Sequence, residues 1–136
     1  MNSVMPDLSK GATAQILLLA PDLLGESLRL QLTNTNNGLE VFLKSDQITR
    51  HPSLIIWSLE SLESPSAIQL EVRRLQDNWH ACPILLLLPS SVRLNTDQLL
   101  QFGCPGLLQD PDLTTLKESI KTLIGGGRVV QLKDQD

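Results

Sequence analysis

Short apolar runs separated by longer mixed stretches set the rhythm of this chain. Residues 16–19, 39–43, 54–58, 83–88 and 106–108 are rich in Leu, Ile and Val with little polar alternation. Runs of that length suit strands buried on both faces. The stretches between them carry their apolar residues at helical spacing instead. Leu24, Leu28 and Leu32 form one stripe, Ile68, Val72 and Leu75 a second, and Leu113, Leu116, Ile120 and Leu123 a third. Strands alternating with helices imply a parallel sheet with helices on both faces. Connections in such units are right-handed, so the pattern predicts a doubly wound, five-stranded α/β fold in three αβα layers.

Punctuation residues set the boundaries. Pro21 and Asp22 open the first helix, with Asp22 as its N-cap. The cluster from Thr33 to Gly38 ends it. Between 45 and 53 there is room for one or two helical turns before His51-Pro52, so the second helix is expected to be shortened. Ser64-Pro65 reads as an N-cap followed by Pro at the first helical position. Asn95 or Thr96 opens a helix through Leu99, Leu100 and Phe102 that Gly103 closes. Asp110-Pro111-Asp112 starts the last helix, with Asp110 as the expected N-cap, and Gly125-Gly126-Gly127 ends it. That glycine run follows a helix and lacks a GK[ST] ending, so it is no phosphate loop. Residues 1–13 read as a loose leader, 14–127 as the domain, and 128–136 as a polar tail or linker.

Ligands and chemistry in an open parallel sheet collect at the carboxyl ends of the strands. Here three runs end on small or neutral residues: the first on Ala20-Pro21, the third on Ser58, the fourth on Pro89-Ser90-Ser91. This vacancy predicts a binding or regulatory module rather than an enzyme.

The bulk composition narrows the classes further. One domain of 136 residues buries roughly two-thirds of its unfolded surface and needs no metal or disulfide. Aromatics make up only 3%, so the core must be aliphatic. The net charge is −4, and the densest basic site, Arg73-Arg74, is flanked by Glu71 and Asp77. Nucleic-acid binders carry a basic stripe and stacking aromatics, so no nucleic-acid partner is expected. No apolar run approaches the roughly 20 residues of a membrane span, and the leader shows no secretory pattern. Cys82 and Cys104 read as buried thiols in a reducing cytoplasm. His51 and His80 lack metal-ligand spacing; Trp57 and Trp79 read as packing residues. Neither a cofactor nor a metal is expected. Glu60 and Glu63, past the third strand, read as solvated loop charge.

The order and spacing of these elements resemble the receiver domain of two-component response regulators, a flavodoxin-like fold. Residues 16–29, with Ala20-Pro21-Asp22 after the first apolar run, resemble the family's first strand, acidic pair and first helix. His51-Pro52-Ser53-Leu54-Ile55-Ile56-Trp57-Ser58-Leu59 resembles the "rPDLvllDl" strand that bears the phosphoacceptor. Gly103-Cys104-Pro105-Gly106-Leu107-Leu108-Gln109-Asp110-Pro111 resembles "GAxGYlxKP". Gly126-Gly127-Arg128 resembles a helix end of the subfamily that carries a helix-turn-helix output domain.

The resemblance implies a role for each position, and this chain departs from all of them. The Mg²⁺-binding acidic pair falls on Ala20-Pro21, or on Leu19-Ala20, with Asp22 the nearest acid. The phosphoacceptor falls on Ser58, the switch hydroxyl on Leu88, the switch aromatic on Leu107, and the phosphate-pairing Lys on Asp110. The chain therefore resembles a degenerate receiver, of the kind that begins longer cyanobacterial and plastid proteins. It implies a cytoplasmic signalling module that works without phosphorylation and binds a protein partner or a second copy. The family's interface of fourth helix, fifth strand and fifth helix corresponds here to residues 95–103 and 112–124. A flavodoxin-like domain binding a small molecule, such as a quinone, is the alternative.

Overall fold

Six parallel strands form one sheet in the order β2-β1-β3-β4-β5-β6. The structure is a computed structural model, and it describes residues 14–20, 22–33, 39–44, 51–59, 65–80, 82–89 and 103–132. The strands are β1 (Ala14–Leu19), β2 (Leu39–Phe42), β3 (Leu54–Ser58), β4 (Ile84–Leu88), β5 (Gly106–Gln109) and β6 (Val129–Gln131). Three helices are described: α1 (Asp22–Thr33), α2 (Pro65–Asn78) and α3 (Leu113–Ile124). Reversal of strand order beside β1 is the mark of a doubly wound sheet, as the alternating pattern predicts. The turns expected between 45 and 50, the helix expected from Asn95 or Thr96, the Ser64 cap and the leader lie outside the described residues.

Alternation along the strands divides the core in two. Ile16, Leu18, Leu54, Ile56, Leu85, Leu87 and Leu108 meet Leu32 of α1 and Leu116, Ile120 and Leu123 of α3. The intervening residues Leu17, Ile55, Ile84, Leu86, Leu88 and Leu107 meet Ile68, Val72 and Leu75 of α2. Both faces are aliphatic, which explains the apolar runs. Each such side chain contributes about 1.5–3 kcal/mol on burial. Trp57 and Trp79 pack half-buried against the α2 face. The His51 and Trp79 rings meet in a T-shaped pair, with centroids 6.2 Å apart and planes at 86°.

Gly106 lets α3 approach the sheet. A Cβ there would sit 2.6 Å from Leu123 Cδ1 and 2.9 Å from Leu85 Cδ1, closer than a side chain can pack.

Two expectations need correction. Residues 128–136 are not simply a tail, because residues 129–131 form β6 and pair with residues 106–108. Gly126, at φ +95°, donates its N–H to Leu123 O and turns the chain off α3. Val129 N–H then reaches Pro105 O at 2.9 Å. One face of β6 is open to solvent, so no continuous apolar run announced it. Nor is Asp110 the N-cap of the last helix. Asp112 fills that role, with Oδ1 accepting from Thr115 N–H at 2.7 Å. Asp110 N–H is already bonded to Leu88 O at 2.9 Å and its φ is +47°, whereas a cap needs the extended backbone that Asp112 has (φ −78°, ψ 171°).

Candidate functional site

Three strands end side by side. Ser58 pairs with Leu87, and Leu88 pairs with Gln109. The ladder then continues one residue further, with Leu59 N–H donating to Leu87 O at 3.0 Å and Asp110 N–H to Leu88 O. Gln109, buried, donates from Nε2 to Pro89 O at 3.1 Å and ties the β4 and β5 ends together. Asp110 then adopts the left-handed conformation that Asp tolerates better than most side chains. That turn directs Pro111 and Asp112 into α3.

A cleft of about 460 Å³ opens above these ends. Its described lining comprises Leu24 and Leu28 of α1, Ser58 and Leu59, then Leu87, Leu88 and Pro89, and finally Asp110, Pro111 and Leu116. Ser58 lies on the same face of β3 as Leu54 and Ile56, which aims it toward α1 and α3. Leu24 is half exposed at the mouth, while Asp110 is exposed at the rim.

The structure thus brings Ser58, Leu88 and Asp110 to the rim of one cleft from three different strand ends, although the Leu88 side chain is buried in the α2 cluster on the opposite face of the sheet from Ser58. Ala20, half-buried just past β1, packs against the α1 and α3 face. Pro21 lies outside the described residues; so does the side chain of Asp22, the first residue of α1. Leu107 is apart from the group, 3% exposed on the α2 face of the sheet. The sequence pattern assigned Leu24, Leu28 and Leu116 to the core alone. Leu24 and Leu28 belong to the cleft because they sit in the first turns of a helix that begins at the strand ends, the one signal that could have placed them there.

Chemically the described lining is sparse. It supplies one hydroxyl and one carboxylate, and no basic side chain to activate the Ser58 hydroxyl, which is a weak nucleophile without a base. Mg²⁺ takes hard oxygen ligands in near-octahedral geometry, and this lining does not fit it. Among the described residues no cluster of His, Cys, Asp or Glu could hold a metal ion, and no helix is long and apolar enough to cross a membrane.

The thiols lie away from the cleft. Cys82 Sγ donates to Pro52 O at 3.3 Å, and burial pushes its pKa up to about 12. Burial likewise pushes the Cys104 thiol up to about 12. Neither has the electropositive setting that makes a cysteine reactive.

No family model matches this chain, and no curated protein does. Solved structures do. The response regulator ChrA of a heme-sensing two-component system superposes with a TM-score of 0.62 at 15% identity over 89% of this chain. This chain spans 61% of the length of that protein. A LuxR-family response regulator from Aurantimonas gives 0.64 at 20% identity, over 86% of this chain and 89% of that one. The receiver domain of a sensor histidine kinase from Pseudomonas aeruginosa PAO1, with a magnesium ion in its active-site cleft, gives 0.59 at 23% identity. There 85% of this chain covers all of the other, 100%. At such identities the likeness establishes the receiver fold.

Proposed function

We propose that this chain, having the receiver fold, is a signalling module that acts without phosphorylation by binding a protein. The observation that carries this reading is the lining of the cleft. Ser58, Leu88 and Asp110 occupy the strand ends where a receiver keeps its phosphoacceptor Asp, switch hydroxyl and Lys. A Leu at the end of β4 cannot hydrogen-bond a phosphoryl group, and the Asp110 carboxylate would repel one. By the spacing of the family's motif the metal-binding acids fall on Ala20 and Pro21, or on Leu19 and Ala20, and neither pair supplies a carboxylate. Nothing in the described lining could drive a phosphorylation-dependent switch.

A protein partner supplies the output in this reading. The contact face in this reading takes in β5 and α3, on which Leu113 and Ile124 are exposed; residues 95–102, which the family resemblance adds to it, lie outside the described residues. Sedimentation and thermal melting with and without Mg²⁺ and beryllofluoride test the proposal. No change in mass or melting is expected, and an Mg²⁺-dependent shift in either overturns it. The leucine-lined cleft favours a second reading, a small apolar ligand. Native mass spectrometry of protein purified from its own host decides, since a retained small molecule would support that reading.

A further inference from the structure

The cleft above the strand ends is divided by chemistry, apolar below and acidic at its rim. Leu28, Leu87 and Leu116 line it from the cluster that α1 and α3 share over the sheet. Ser58 stands among them as the one described hydroxyl, and Leu24, 42% exposed, carries the apolar wall up to the mouth. Asp110 lies exposed at the rim, its backbone N–H held by Leu88 O and its φ at +47°. That turn roots a carboxylate beside the opening. No residue of the described lining is basic. The positive end of α3, which would otherwise attract an anion, is offset by Asp112 through its cap on Thr115 N–H.

We infer that this cleft binds a small amphiphilic amine, with its apolar body on the leucines and its protonated nitrogen at Asp110. The inference rests on the second reading above, a small apolar ligand in the cleft, and adds the sign of its charge. A volume of about 460 Å³ falls within the range of small-molecule sites, roughly 300–1,000 Å³. Burial of the apolar body supplies most of the affinity. An exposed carboxylate adds little, roughly threefold, because water screens the ion pair. It decides selectivity instead. A cation of the same shape gains at the rim, a neutral ligand leaves the rim unused, and an anion is repelled.

Titration of the full chain with hexylamine, hexanol and hexanoate, followed by backbone amide chemical shifts, tests this at neutral pH. There the amine is protonated, as a lysine side chain is. Shifts should cluster at Ser58, Leu88 and Asp110, and binding should weaken from amine to alcohol to carboxylate, by roughly threefold at each step. From butylamine to octylamine each methylene should tighten binding by up to about fourfold. Asp110→Asn keeps the left-handed turn, which Asn also tolerates, and should bring amine and alcohol to equal affinity. Asp110→Lys should place hexanoate ahead of hexylamine. Should the lysine variant melt early, the asparagine variant decides alone. If hexanol binds and hexylamine binds no tighter, the inference fails while the apolar-ligand reading stands. If none of the three shifts the cleft residues, both fail. An amine preference that persists in folded Asp110→Asn also overturns the inference.

Discussion

Ile56 and Ser58 sit on the same face of the same strand, one turn of the pleat apart, and they answer to different demands. Ile56 is fully buried between β1 and β4 with α1 and α3 above it. Leu86 and Leu108 are buried in the same way at the centres of their strands. At the centres of β1, β3, β4 and β5, shape and volume are constrained on every side, and the residues there are aliphatic. At the carboxyl ends the sheet stops supporting its neighbours, and Ser58 and Asp110 face a cleft. The centres make the receiver fold; the ends decide what the fold can do. Since the two are physically separable, a chain can keep one set while losing the chemistry of the other.

Substitutions can break that comparison or sharpen it. The largest effect is expected from Ile56→Ala, a loss of about 2–5 kcal/mol in denaturant unfolding. A smaller loss would mean that α1 and α3 settle into the gap. Gly106→Ala puts a methyl where Leu123 and Leu85 already stand, so a loss of about 1–3 kcal/mol is expected. An unchanged midpoint would show that the Leu123 side chain simply moves aside. The two aspartates that flank Pro111 should part company. Asp112→Ala removes the α3 cap and should cost about 1 kcal/mol. Asp110→Gly relieves a positive φ and should raise stability by about 0.5 kcal/mol. Opposite signs in one unfolding series check the cap assignment.

Ser58→Ala should fall within about 0.5 kcal/mol of wild type, the strand-end counterpart to Ile56→Ala. At neutral pH the thiols should matter least. Their folded pKa values stand near 12 against an ordinary 9.0. Between those values an unfolded chain loses thiol protons that the folded chain keeps, so stability falls as pH rises through that window. Below pH 9 no thiol contribution is expected. Melts at stepped pH, compared with a Cys82→Ala variant, read this out.

Much of the architecture was legible because a strand buried on both faces must be apolar throughout. The runs at residues 16–19, 54–58 and 83–88 correspond to β1, β3 and β4, and the helical stripes to α1, α2 and α3. β6 was not legible, for the same reason inverted. Val129 is half-buried while Val130 and Gln131 are exposed, so its pattern is that of a polar tail. The cap of α3 was ambiguous because Asp110 and Asp112 are equally good capping side chains on either side of Pro111. Backbone dihedrals chose between them.

The sequence alone determined the fold class and the residue types at each strand end, since burial and helical spacing are local statements about composition. It placed Ser58, Leu88 and Asp110 at the ends of their strands before any geometry was known. Only the tertiary structure decided that these three share one cleft with Leu24 and Leu28, that Leu107 faces the opposite layer, and that Val129–Gln131 adds a strand. Those outcomes depend on which elements pack together across long stretches of chain. Local pattern carries no information about that, because the same apolar residue satisfies any partner that covers it.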